Sequence, residues 1–150
     1  MLELSLHILD IIENGINAGA DLITLKIIED QKNNKLSISI ADNGHGIPSD
    51  MLEKVTDPFF TTKTVRRVGL GLSLFREASR RCEGEFKITS RVGEGTETSA
   101  TFRLDHIDLA PMGNLESTLS SLIVGNPGVD FIYDHEIDGE RVRLDTRDIK

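Results

Sequence analysis

Ile8, Leu9, Ile12 and Ile16 recur at helical spacing, which predicts an amphipathic helix from about residue 3 to residue 18, with Gly19 placed to stop it. The period then drops from about 3.6 residues to about 2. Ile23, Leu25 and Ile27 alternate with Thr24 and Lys26. After an Asn33-Asn34 turn, Leu36, Ile38 and Ile40 alternate with Ser37, Ser39 and Ala41. Two half-buried strands joined this way predict a hairpin. Residues 42–46 form a loop with two glycines, and Pro48-Ser49-Asp50 opens a short helix over 49–55. Residues 58–71 show no period, and their Pro, Thr and Gly content predicts a loop. Leu72, Phe75, Ala78 and Cys82 then line one helix face, opposite Arg76, Glu77, Arg80 and Arg81, with Gly84 placed as a cap. Phe86 and Ile88 begin a strand. Gly93-Glu94-Gly95 turns the chain, and Thr98, Ala100, Phe102 and Leu104 alternate in another.

The order helix, strand pair, loop, helix, strand pair predicts an α/β sandwich with helices on one face of a largely antiparallel sheet. Residues 105–150 read as an extension packed on the same domain. Leu115, Leu119, Leu122 and Ile123 predict a short helix broken at Asn126-Pro127-Gly128. Phe131 and Tyr133 alternate with acidic residues, and Asp138-Gly139 signals a type I′ hairpin before Val142 and Leu144. Thr146 has the look of another helix start, so the natural domain is expected to run past Lys150.

Composition narrows the class of function. At 150 residues the chain suits one domain with a core of aliphatic side chains, since aromatics are 5% and Trp is absent. A single cysteine excludes an internal disulfide and a cysteine-cluster metal site. No run of about 20 apolar residues spans a bilayer, and the first segment does not resemble a secretory signal, so a cytoplasmic setting is expected. The net charge is −8. Most of the excess lies in 105–150, with 4 Lys/Arg against 10 Asp/Glu, whereas 1–104 holds 13 against 15. A broad basic face for nucleic acid is therefore not expected. The local exception is Lys63, Arg66 and Arg67 beside a glycine-rich stretch, a cluster that suits a phosphate.

Three short motifs carry candidate chemistry. Asp10 and Asn14 stand four apart on the first helix and share a face, with Glu13 close by. An Asn oxygen suits magnesium, which takes few protein ligands, and a carboxylate one turn away could take a proton. The same pair is also what a polar helix stripe contains. Asp42-Asn43-Gly44-His45-Gly46-Ile47 leaves a strand and turns sharply, so that backbone approaches a flat ligand and a carboxylate can accept from an amino group such as adenine's. Val68-Gly69-Leu70-Gly71-Leu72 lies where the predicted loop becomes a helix, and N–H groups at a helix start attract anions. It matches neither a P-loop nor a dinucleotide fingerprint.

Together, in this order and spacing, the motifs resemble the GHKL superfamily of gyrase, MutL and histidine-kinase ATP-binding domains, the Bergerat fold. Residues 9–20 resemble its N box, 42–47 its G1 box, Asp57-Pro58-Phe59-Phe60-Thr61-Thr62-Lys63 the F box of sensor kinases, 69–73 its G2 box, and Gly93-Glu94-Gly95-Thr96 its final turn. The resemblance covers about residues 8–104. It implies an α+β two-layer sandwich with helices on one face of a mixed, largely antiparallel sheet. It also implies that Asn14 ligates Mg2+, that Asp42 takes the adenine amino group with Thr96 assisting through water, and that Gly44, Gly46 and Ile47 border the adenine. Phe60, Thr62, Lys63, Arg66, Gly69, Leu70, Gly71 and Leu72 complete the ATP-binding set, under a lid of about residues 61–70.

Three positions depart from the family pattern. Asp10 stands where ATP-hydrolysing members carry Glu, Gly15 replaces the usual Ala, and Arg67 replaces the first glycine of the G2 box. His7 reads as packing or surface, His45 as solvent-facing and Cys82 as core. The chain begins almost at the N box, without an upstream helix pair bearing a phosphoacceptor histidine. The leading expectation is a stand-alone regulatory kinase with Asp10 as its catalytic base, acting on a separate protein. An ATP-hydrolysing switch of the MutL/gyrase type is the second, and a nucleotide-binding interaction module without chemistry the third.

Overall fold

The computed structural model describes residues 2–52 and 63–149. The first helix, α1 (Leu4–Asn17), buries Leu4, Ile8, Ile11 and Ile12. It ends as the sequence predicts. Gly19 takes φ +85°, the Ala20 N–H reaches back to the Gly15 carbonyl and the Gly19 N–H to that of Ile16, which satisfies carbonyls left over by the last turn.

β1 (Leu22–Asp30) and β2 (Lys35–Asp42) then pair antiparallel, with Leu25 opposite Ile40 and Ile27 opposite Ile38. Because side chains alternate, these apolar positions share one face, and the helices cover it. α2 (Ser49–Leu52) is one turn long, and the remainder of the helix predicted over 49–55 lies outside the described residues. β3 (Phe86–Arg91) and β4 (Gly95–Phe102) follow α3 (Lys63–Arg81) and form a second antiparallel pair.

The last elements are α4 (Leu115–Gly125), β5 (Asp130–Ile137), β6 (Glu140–Asp145) and a 3-10 turn at Thr146–Asp148. The strand order is β3-β4-β2-β1-β5-β6. All neighbours are antiparallel except β1 and β5, so the fold is α+β, a mixed six-stranded sheet with its helices on one face. β5 thus lies beside the first strand of the hairpin, and Leu115, Leu119, Leu122 and Phe131 join one core with Ile8, Ile12, Ile23, Ile38 and Phe102. Asp138 and Gly139 both take positive φ, 49° and 91°, as a type I′ turn requires. Among the described residues no helix is long and apolar enough to cross a membrane.

One expectation needs correction and another needs refinement. The loop predicted for 58–71 gives way to helix at Lys63, so Gly69 and Gly71 lie inside α3 and not at its start. Each glycine costs a helix about 1 kcal/mol, too little to outweigh the anchorage of Leu72 and Phe75, which are 2% and 0% exposed. Gly84 does close α3, its N–H donating to the Ser79 carbonyl at 2.9 Å, but the positive φ of the cap belongs to Glu83, at 56°. Gly84 is needed for another reason. A Cβ there would lie 1.6 Å from the Thr101 carbonyl oxygen, so only glycine lets the end of α3 lie against β4.

Candidate functional site

α1 runs over the sheet so that its C-terminal half meets the end of β2. Gly15 is the point of closest approach. A Cβ built on it would lie 2.9 Å from the Asp42 Cβ and 3.0 Å from Asp42 Oδ2, so the glycine that departs from the family pattern lets the helix lie against that carboxylate. Its partner across the gap is Gly71 of α3, whose Cβ position is 3.3 Å from the Asp10 Cβ and 3.9 Å from Asn14 Nδ2. Asp10 and Asn14 of α1 thus face Gly71 of α3, while Gly15, next along α1, faces Asp42 at the end of β2. These residues come from three elements, and two glycines set the spacing.

The polar groups along these contacts are poorly compensated. Asn14 Nδ2 is buried without a hydrogen-bond partner among the described residues, which costs about 1–3 kcal/mol unless something else satisfies it. Burial pushes the Asp10 carboxyl above the ordinary carboxylate range, and nearby His7 draws it partly back. Burial raises Asp42 likewise, opposed by the backbone N–H groups of Gly44 and Thr96 and by His45. Asp42 Oδ1 accepts from the Gly44 N–H at 2.9 Å.

The loop after β2 is fastened on three sides. Asn43 accepts from the backbone N–H groups of Asp21 and Leu22 at 2.9 and 3.0 Å. The His45 N–H donates to the Ala18 carbonyl at 2.9 Å, while its own carbonyl accepts from Gly93 at 2.8 Å. Gly46 takes φ +77°, and a Cβ there would fall 2.2 Å from the Arg91 carbonyl oxygen. Gly44 is similarly tight, with a Cβ position 2.9 Å from Ala18. Ile47 is half-buried against the core.

Thr96 pairs with Asp42 across β4 and β2, which places it beside the carboxylate. Sequence reasoning missed Ser90. It lies one strand further, opposite Thr96, and its hydroxyl contacts Ile47, Gly95 and Thr96. Only the β3–β4 register could have found it. Leu72 is buried in the core and Leu70 is exposed. Lys63, Arg66 and Gly69 fall on the first two turns of α3, and Phe60 and Thr62 lie outside the described residues. His7 packs in the core against Phe75, with ring centroids 5.7 Å apart. His45 is exposed, and Cys82 is buried.

Residues 2–106 match the model of a family described as histidine kinase-, DNA gyrase B-, and HSP90-like ATPase. A putative sensor protein of Shewanella frigidimarina is 35% identical over 103 residues, covering 67% of this chain but 16% of that protein. The sensor protein kinase FleS of Pseudomonas aeruginosa is 35% identical over 109 residues, covering 73% of this chain and 26% of that one. This chain thus spans a small part of such relatives. Among solved structures, an Aquifex aeolicus MutL ATPase domain complexed with ADP has a TM-score of 0.60 at 18% identity, over 94% of this chain and 62% of that chain, a likeness of fold.

Proposed function

The chain belongs to the histidine kinase-, DNA gyrase B- and HSP90-like ATPases through residues 2–106, and on that premise we propose that it binds ATP with magnesium in the cleft between α1, α3 and the end of β2, and transfers the γ-phosphoryl group to a partner protein. The observation that supports this reading is that Asn14, whose amide nitrogen has no partner among the described residues, faces Gly71, while the adjacent Gly15 faces the half-buried Asp42 carboxylate. In it, Asp42 Oδ2 accepts from the adenine amino group, since Oδ1 is already taken by Gly44. Gly44, Gly46 and Ile47 border the base. Asn14 turns its amide oxygen to the cation, which suits an ion that takes one or two protein ligands and shares the rest with phosphates. Magnesium bound there would neutralise charge on the phosphates.

Lys63, Arg66, Gly69, Leu70 and Gly71 flank the phosphates in this reading, with Phe60 and Thr62 before them in sequence, whereas Leu72 anchors α3 in the core. Asp10 stands one turn from Asn14 and acts as the base. As the partner's hydroxyl or imidazole attacks the γ-phosphorus, its proton passes to the Asp10 carboxylate and the bond to the ADP oxygen breaks. Burial raises this carboxyl, which makes it a stronger proton acceptor than an ordinary aspartate.

The same carboxylate could take a proton from water, which favours hydrolysis as the second reading. Incubation with magnesium and γ-labelled ATP, with and without a lysate of the source cells, separates the outcomes. Label on another protein, lost in Asp10→Asn, is the expected result. Free phosphate in the absence of lysate supports the ATPase reading. Binding with neither outcome reduces the protein to a nucleotide-dependent interaction module, and a failure to bind ATP overturns all three.

A further inference from the structure

Asp42, Thr96 and Ser90 stand side by side across β2, β4 and β3, because Asp42 pairs with Thr96 and Thr96 pairs with Ser90. The Ser90 hydroxyl oxygen has three polar neighbours. It accepts from the Ile47 N–H at 2.7 Å, it lies 3.0 Å from the Gly95 carbonyl oxygen, and it lies 2.7 Å from Thr96 Oγ1. A serine hydroxyl has one proton and two acceptor sites. The Gly95 carbonyl can only accept, so that contact takes the Ser90 proton. The Ile47 N–H fills one acceptor site. All three contacts are satisfied together only if Thr96 donates to Ser90.

This arrangement has a direction. With its proton committed to Ser90, Thr96 presents only lone pairs to the cleft. The ionised Asp42 carboxylate beside it is also an acceptor, with Oδ1 held by the Gly44 N–H. The side chains of Asp42 and Thr96 therefore receive hydrogen bonds from this side and offer none.

We propose that Ser90 is a positioning residue that fixes the direction of the Thr96 hydroxyl, and through it makes the site select a 6-amino purine nucleotide over a 6-oxo purine nucleotide. The inference rests on the reading of the cleft as a nucleotide site. A 6-amino group donates and finds acceptors, directly or through a bridging water. A 6-oxo group accepts and meets other acceptors, a mismatch that hydrogen-bonding sites reject. Without Ser90, Thr96 is free to rotate and donate to the oxo group.

The test compares the dissociation constants of ATP and ITP, measured by titration calorimetry with magnesium, because the two bases differ at position 6. Ser90→Ala is expected to narrow the preference for ATP over ITP by about tenfold. Ser90→Thr, which keeps the hydroxyl, retains the preference. In a Thr96→Val background, Ser90→Ala leaves the ratio where Thr96→Val alone put it, as residues acting in series require. Should Ser90→Ala prove unfolded by its melting curve, Ser90→Cys, a weak donor and acceptor, carries the same expectation. Equal weakening of both nucleotides in the Ser90 variant, or a narrowed ratio that persists without the Thr96 hydroxyl, overturns the proposal while leaving ATP binding intact. If the unaltered protein binds neither nucleotide, the nucleotide reading itself falls.

Discussion

At the β5–β6 edge charge meets charge, whereas at the corner where α1 crosses β2 it does not. On the edge, Arg141 forks onto Asp134, Arg147 onto Asp145, and His135 sits between Glu29 at 2.7 Å and the Tyr133 hydroxyl at 2.5 Å. Hydrogen bonds from the arginines pull both edge aspartates below the ordinary carboxylate range, Asp145 to about 2. In the corner, burial pushes Asp10 and Asp42 the other way, and Asn14 Nδ2 has no partner among the described residues. Carboxylates lowered by cations stabilise a fold, whereas carboxylates raised by burial are held at a cost that function explains better than stability does.

The sharpest way to break this comparison is to remove one carboxylate from each region. Asp42→Ala is expected to weaken ATP binding about 100-fold by calorimetry, the scale of a lost hydrogen bond to a charged group in a buried site. Asp134→Ala is expected to leave ATP affinity unchanged and to lower the melting temperature. Equal losses of affinity in the two variants would erase the distinction. Acidification gives a second reading of the same group. If Asp42 binds the base as the carboxylate, as proposed, its raised pKa in the fold makes ATP affinity fall on the acid side at a pH above the ordinary aspartate value of 3.8.

Glycines sharpen the contrast next. Gly46 and Gly139 both have positive φ, so alanine strains the backbone at either. At Gly139 the new methyl meets nothing within 4 Å, and the cost is expected to be about 1 kcal/mol. At Gly46 it meets the Arg91 carbonyl at 2.2 Å, and the cost should reach about 3 kcal/mol or more by urea denaturation. Gly15→Ala separates stability from binding. Alanine improves the helix by about 1 kcal/mol, yet its methyl would press on Asp42 from 2.9 Å. ATP affinity is expected to fall about fivefold as the carboxylate shifts. Unchanged affinity would show that Asp42 has room to move.

What could be read along the chain follows from which physics is local. Ile23, Leu25 and Ile27, and Leu36, Ile38 and Ile40, announce their strands because one face is buried and the other wet, a pattern contained in each segment. Gly19 and Asp138-Gly139 are legible for the same reason, since a turn's backbone requirement is local. The first turns of α3 are not legible, because two glycines erase the period and the anchors Leu72 and Phe75 lie further on. Ser90 and the role of Gly15 are invisible for a different reason. Both depend on a distance between elements that no spacing along the chain encodes: the β3–β4 register for one, the height of α1 above β2 for the other.

The smallest expected effect concerns His7, which shares α1 with Asp10 and Asn14 yet belongs with the packed interior. It is 4% exposed, its Nδ1 has no partner among the described residues, and it lines a cavity with Leu74, Glu77, Arg81, Cys82 and Asp108. Burial lowers its pKa below 6.5, against a smaller upward pull from Asp10. Below pH 6.5 the unfolded chain therefore takes up a proton at this position more readily than the folded protein does, and stability falls as pH drops from 6.5 toward the depressed folded value. His7→Leu removes the titrating group and fills similar space. Its stability at pH 7 should stay within about 1 kcal/mol of the parent, while its acid limb becomes flatter below pH 6.5 in denaturation curves taken across the pH range. Parallel acid limbs in the two proteins would mean that His7 is protonated as easily inside the fold as outside it. His7 would then join Asp10 and Asn14 as a polar group of the cleft and leave the core.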